Sequence, residues 1–174
     1  MTRLTFALMC LMLPSSAFAQ NPISDAIRDG WDGAKRNITR ATEAMPDAKF
    51  NFKPVDTVRT YAQIVAHVAG ANYIFCAAAR GEKSPYAEDH FEKTATTKAA
   101  IAKALADSIA YCDAAYKALD DRRAAEMVAA AFGNGKSARA SALIGNTGHV
   151  QEHYGNLVTY LRINGIVPPS SSGQ

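Results

Sequence analysis

Four stretches of the sequence carry apolar residues at the three- and four-residue spacing of an amphipathic α-helix, and strand-like alternation is nearly absent. They cover residues 24–46, 60–80, 94–120 and 138–164. Four such helices in one mid-sized chain predict an all-α fold, a four-helix bundle. Because the connections 46–59 and 81–95 are longer than the links of an up-and-down bundle, we also expect a long crossover connection.

Local signals at the helix ends support these boundaries. Ser24 is placed to cap the first helix, and Thr60 with Gln63 forms the T-x-x-Q pattern of a capping box before the second. Gly81 follows the second helix and Gly165 the last, where a left-handed residue commonly ends a helix. The sequence "GNGKS" at 133–137 predicts a turn.

The N-terminal segment has the order of a secretory signal peptide. Arg3 precedes an apolar run of about ten residues, and Ala17-Phe18-Ala19 matches an A-x-A cleavage site. We therefore expect a signal peptide at 1–19, a bundle at 20–169 and a disordered tail at 170–174. The mature protein would be exported, to the periplasm or outside the cell.

Charge and composition exclude several partner classes. The formal net charge is only +3, with acidic and basic residues mixed along the chain, so no basic surface for nucleic acid is predicted. After the signal segment we find no stretch that predicts a membrane span, and a small-molecule substrate is the expected partner. The sequence leaves a homodimer open.

Two cysteines remain in the predicted mature chain, Cys76 and Cys112. An exported protein allows them to form one disulfide. Two buried free thiols explain the same pair equally well.

His149 and His153 lie four residues apart in the last predicted helix, so both side chains share one face. Leu157 and Tyr160 continue that face, which predicts that both rings point into the bundle. Two imidazoles at this spacing can reach one metal ion at about 2.0–2.1 Å. Packing of two polar residues on a helix is the alternative.

A third ligand is predicted at His67, which lies on an apolar stripe of the second helix. A lone histidine on such a face is usually a hydrogen-bonded core residue, but three of the four histidines on inward faces favour a metal site. His90 falls in a predicted loop and is left out. Residues that could line the pocket are Tyr73, Asn146, Tyr154, Asn156 and Tyr160.

The sequence "HVQEH" also matches H-x-x-E-H, a zinc-peptidase pattern with Glu152 as the general base. Such a site needs a further acidic ligand downstream. The residues after His153 include neither Asp nor Glu, so this hypothesis fails. Glu152 is better explained as a solvated carboxylate on the helix face.

Three motifs resemble the DinB-like family of four-helix metalloproteins. They are "YAQIVAHVAGANYIF" with His67, "HVQEHYGNLVTYLR" with His149 and His153, and the ending "RINGIVPPS". The segment "MPDAKFNFKPVDTVRT" is similar to the one before the family's second helix. The resemblance implies a divalent metal on His67, His149 and His153, with open coordination positions. Three imidazoles suit zinc, nickel or iron, so the sequence leaves the identity of the metal open.

Some members of this family are thiol-dependent transferases or isomerases. Because a divalent ion on three imidazoles can acidify a bound water or thiol, we expect a metal-dependent hydrolase or a thiol-dependent transferase. The chain departs from the family pattern after the last ligand, where Tyr154, Gly155 and Asn156 replace Arg-Gly-Gln. A signal peptide is also unusual among mainly cytosolic relatives. A non-catalytic exported bundle that binds a metal or a small ligand is the alternative function, and a metal-free interaction module is a third.

Overall fold

The computed structural model describes residues 21–172. The predicted signal peptide at 1–19 lies outside the described residues, as do positions 173 and 174 of the predicted disordered tail. Residues 170–172 form a turn, in which Ser170 donates its backbone N–H to the Tyr154 hydroxyl at 2.9 Å.

Six α-helices and two short strands follow one another along the described chain. Their bounds are α1 (Pro22–Ala44), α2 (Tyr61–Arg80), α3 (His90–Thr94), α4 (Lys98–Lys117), α5 (Asp121–Ala124), β1 (Met127–Ala129), β2 (Lys136–Ala138) and α6 (Arg139–Ile163). A 3₁₀ turn at Asp47–Lys49 lies between α1 and α2. The long helices α1, α2, α4 and α6 confirm the predicted four-helix bundle.

The order of the helices around the bundle explains its connections. Helices α1 and α2 each pack against α4 and α6, so α1 and α2 occupy opposite corners. The connection from α1 to α2 is therefore diagonal, which agrees with the expected crossover. The connection at 81–97 joins neighbouring helices instead, and the second diagonal connection is the one from α4 to α6, which contains α5 and both strands.

The helix ends follow the predicted chemistry at α2 and depart from it at α1. The hydroxyl of Thr60 accepts the Gln63 N–H at 3.1 Å, and the Gln63 side chain accepts the Thr60 N–H at 2.8 Å. Helix α1 begins two residues before Ser24, which is buried in its first turn. The carboxylate of Asp121 accepts the Ser24 N–H at 2.8 Å, so α5 supplies the group that we had expected from Ser24.

The segment between α4 and α6 contains the strands, which the sequence did not predict. Strands β1 and β2 pair antiparallel, with Val128 opposite Ser137. Residues 130–135 connect them, so the predicted turn at 133–137 overlaps the connection and the start of β2, and Gly133 adopts a positive φ of 78°. Phe132 at the tip of this hairpin is 51% exposed.

Helix α2 forms the centre of the bundle. It is long and apolar enough to span a membrane by length and composition, contrary to our expectation from sequence that no later stretch would be. However, 83% of the apolar window is buried inside the bundle, as in the core helix of a soluble protein. Cys76 of α2 and Cys112 of α4 form a disulfide, which decides between the two alternatives left open by the sequence.

Candidate metal centre

The bundle brings His67, His149 and His153 together. His67 projects from α2, and the other two project from successive turns of α6. The Nε2 atom of His149 lies 3.2 Å from the Nε2 of His67 and 3.2 Å from the Nε2 of His153. One nitrogen from each of the three rings lies within 4.8 Å of the others, so this group could hold a metal ion.

The other nitrogen of His67 is directed at a carboxylate. Its Nδ1 lies 3.2 Å from Oε1 of Glu92, on α3, and Oε2 of Glu92 accepts the Nε–H of Arg59 at 3.2 Å. A carboxylate on the outer nitrogen holds the N–H there and presents the inner lone pair, as it commonly does for metal-binding histidines. Sequence analysis missed Glu92 and Arg59.

The three facing nitrogens can coordinate one cation, but they cannot all form hydrogen bonds with one another. A neutral imidazole has one N–H and one lone pair. If His67 donates from Nδ1 to Glu92, its Nε2 has only a lone pair. One hydrogen on the Nε2 of His149 cannot point at both neighbouring rings, so at most one of the two 3.2 Å contacts is an ordinary hydrogen bond. A cation would accept all three lone pairs, and the donor set therefore fits a divalent metal.

Burial keeps the two α6 histidines neutral. Burial, followed by the nearby His153, His67 and Arg59, lowers the pKa of His149 to about 3. Burial is also the largest cause of a lowered pKa at His153, followed by His67. Neutral imidazole is the form that ligates a metal, so both side chains are in the competent state at neutral pH.

The lowered pKa of His149 predicts that the metal-free protein loses stability as the pH falls. Because His149 has a lower pKa when folded than when unfolded, near 6.5, the unfolded chain binds more protons between about pH 3 and 6.5. The free energy of unfolding should therefore decrease from pH 7 to pH 5. Urea titrations with a metal chelator present would measure it, and His149→Gln should flatten the dependence. A stability that increases as the pH falls would contradict this prediction.

A glycine on α2 lets the segment before α3 approach the histidines. A Cβ at Gly70 would lie only 1.9 Å from the carbonyl oxygen of Glu88, so the backbone of Glu88 occupies the space beside α2. The carboxylate of Glu88 then lies near His67, with Oε1 3.6 Å from Nε2. Gly70, one turn after His67, thus fixes the position of this acidic segment.

Replacing Gly70 with Ala should displace that segment. The added methyl group would overlap the Glu88 carbonyl, and overpacking of this kind costs about 1–3 kcal/mol. We expect a lower free energy of unfolding in urea and a weaker affinity for added zinc. Gly33→Ala is the matched control, because a Cβ there meets no atom within 4 Å and alanine should stabilise the helix by about 0.5–1 kcal/mol. Equal stability of the two variants would refute the prediction.

A surface cleft of about 380 Å³ reaches one edge of the histidine cluster. Its lining includes His153, Arg59, Asn156, Tyr160, Ile64 and Val58. The side-chain amide of Asn156 lies 3.5 Å from Nδ1 of His153, and the Tyr160 hydroxyl donates to the Arg59 carbonyl at 2.9 Å. Two of the pocket residues expected from sequence are therefore beside the site.

The other expected pocket residues have structural partners. Tyr73 packs against Tyr86 and Tyr111, and Asn146 donates to the Tyr116 hydroxyl at 3.3 Å. Tyr154 accepts the hydrogen bond from the C-terminal turn. Glu152 is exposed, which agrees with a solvated carboxylate.

Residues 31–157 match the model of the DinB superfamily. The chain belongs to the DinB superfamily. This DinB-family match includes His67, His149 and His153, so the candidate metal centre lies within the matched region. No sequence among curated proteins matches the chain significantly.

Solved structures show the same fold. A DinB-like protein from Bacillus cereus superposes with a TM-score of 0.70 at 14% identity, covering 83% of this chain and 95% of its own. A DinB-like protein from Bacillus subtilis gives a TM-score of 0.62 at 20% identity, covering 80% and 92%. A mycothiol-dependent maleylpyruvate isomerase gives 0.64 at 17% identity; the match covers 77% of this chain and 60% of the isomerase.

Proposed function

We propose that this chain is an exported metalloprotein in which His67, His149 and His153 hold one divalent ion of zinc, nickel or iron. The observation that carries the proposal is the convergence of three imidazole Nε2 atoms, at contacts of 3.2 Å, in the interior of the bundle. Glu92 orients the His67 ring, and Arg59 holds Glu92 in turn. The lowered pKa values of His149 and His153 keep both side chains available as ligands.

We propose a metal-dependent hydrolase or a thiol-dependent transferase acting on a small molecule. A divalent ion on three neutral imidazoles supplies Lewis acidity, which acidifies a water or a thiol and polarises a carbonyl group. The cleft beside His153 gives a substrate access to the site. Arg59 and Asn156 offer hydrogen-bond donors in that cleft, while Ile64 and Val58 offer apolar contacts.

Access from solvent favours an enzyme over the alternative, a non-catalytic binding protein with a closed site. Structural zinc sites are normally closed by four protein ligands, whereas catalytic sites keep a position for water or substrate. A thiol-dependent reaction gains support from one structural neighbour, the mycothiol-dependent maleylpyruvate isomerase.

Export of the chain is supported by two independent features. The A-x-A pattern at Ala17–Ala19 follows an apolar run, and the Cys76–Cys112 disulfide is typical of an oxidising compartment. We therefore propose that the mature protein acts in the periplasm or outside the cell.

Elemental analysis of untagged protein purified from the exported fraction tests the proposal. We expect one divalent ion per chain and a mature N-terminus at Gln20 by intact mass. The variant with alanine at all three histidines is the control and should contain no metal. Assays for ester hydrolysis and for thiol transfer would then separate the two reactions. Wild-type protein that contains no metal and binds no added zinc would refute the proposal, and an intact Met1 would refute export.

A further inference from the structure

A second acidic side chain, that of Glu88, lies beside the other ring nitrogen of His67. Oε1 of Glu88 lies 3.6 Å from Nε2 of His67, and this nitrogen is the one that faces His149. Glu92 contacts the outer nitrogen of the same ring, Nδ1. Of the two carboxylates, only that of Glu88 lies beside the nitrogen that faces the centre, so only Glu88 is placed to contact an ion there.

The backbone holds Glu88 in this position. Its carbonyl oxygen would lie 1.9 Å from a Cβ at Gly70, so the chain contacts α2 directly, one turn after His67. A hydrogen bond at the start of α3 also restrains the backbone on either side of Glu88, because the His90 N–H donates to the Ala87 carbonyl at 3.1 Å. The packing of this segment against α2 thus determines the position of the Glu88 backbone, from which the carboxylate reaches His67.

No Lys or Arg side chain among the described residues forms an ion pair with the carboxylate of Glu88. Within residues 21–172, its ion-pair contact is with His67. Neighbouring acids on the same segment differ, because Asp89 pairs with Lys93 and Glu92 pairs with Arg59. With 42% of its side chain exposed, Glu88 can also rotate towards the cluster without breaking a buried contact.

We propose that Glu88 is a fourth protein ligand to the ion held by His67, His149 and His153. The inference rests on the proposed metal site and adds one oxygen donor to it. Water or substrate would then bind at a fifth coordination position or in exchange for this partly exposed carboxylate, so the site stays open to catalysis. Oxygen ligands bind zinc at about 2.0–2.2 Å and imidazole nitrogens at about 2.0–2.1 Å. Two ligands on one ion are therefore about 3–4 Å apart, and the separation between Glu88 and His67 is already 3.6 Å. The carboxylate also neutralises one of the two charges of the ion.

Zinc affinity and the absorption spectrum of bound cobalt(II) test this assignment. Affinity is measured by competition with a chromophoric chelator, and the cobalt ligand-field bands report the donor set. Glu88→Gln should weaken zinc binding at least as much as the loss of an outer-sphere partner does, about 10–100-fold, and should shift the cobalt bands. Glu88→Asp keeps the charge with a shorter reach, and should fall between Gln and the wild type.

Asp89→Asn is the matched control, because it removes the same charge from the adjacent exposed position. It should leave affinity and spectrum unchanged. Equal weakening by Glu88→Gln and Asp89→Asn would show a long-range charge effect and overturn the assignment, as would an unchanged cobalt spectrum. If Glu88→Gln binds as the wild type while His67→Ala loses the metal, the three-histidine site stands without Glu88. If His67→Ala also keeps the metal, the proposed site itself is wrong.

Discussion

Replacing His153 with Ala should abolish tight metal binding, whereas replacing His90 should leave it unchanged. His153 contributes one of three converging nitrogens, and its loss leaves too few ligands to hold the ion. Because loss of an outer-sphere partner alone costs about 10–100-fold in affinity, loss of a direct ligand should exceed about 100-fold. We expect the same for His67→Ala and His149→Ala. Chelator competition on the purified, metal-free variants measures the effect.

His90 is the natural control for these variants. It begins α3 and stacks on Tyr86 with ring centroids 4.7 Å apart, outside the group of three histidines. Alanine is the best helix former, so the substitutions on α2 and α6 should preserve the helices, which far-UV circular dichroism would verify. The site would be wrong if His90→Ala lost the metal and His153→Ala retained it.

The sequence was sufficient to predict the convergence of the histidines, because spacing along a helix determines the direction in which each side chain projects. His149 and His153 had to share a face of α6, and apolar neighbours turned that face inwards. His67 followed from the same argument on α2. Their role as ligands stays a prediction, which the variants above would test.

The acidic residues around the site could not be predicted in this way. Glu88 and Glu92 lie 21 and 25 positions after His67 in a connection without periodicity. This connection can approach the histidines only because Gly70 has no side chain, so that the backbone of Glu88 packs directly against α2. In the structure, the space left at Gly70 is filled by the backbone of Glu88, a contact that no local pattern encodes.

The fold likewise contains elements that the local sequence predicts and contacts between distant residues that it does not. Periodicity gave the four long helices, whereas strands β1 and β2 have three residues each, too few for an alternating pattern. We expected Ser24 to cap α1 because serine is a preferred N-cap residue. The group that accepts the first-turn N–H bonds is Asp121, about 100 residues away, and only the packed structure brings it there.

Loss of the disulfide should be the largest single loss of stability. Cys76 and Cys112 are separated by 36 positions and have Cα atoms 5.2 Å apart. A crosslink that closes a loop of this length contributes about 4 kcal/mol on the chain-entropy estimate. For a domain of this size, each kcal/mol corresponds to about 2–4 °C in Tm. The variant with alanine at both cysteines should therefore melt roughly 8–16 °C lower than the oxidised protein.

Reduction of the wild type separates the crosslink from the packing of the two side chains. Both cysteines are fully buried, so the alanine variant also loses sulfur contacts in the core, whereas the reduced wild type keeps them. Protein unfolded and reduced, then refolded with a thiol reductant, should show most of the decrease in Tm. Intact mass under non-reducing conditions should be 2 Da lower than after reduction. Equal Tm values for oxidised and reduced protein would contradict a stabilising disulfide between α2 and α4.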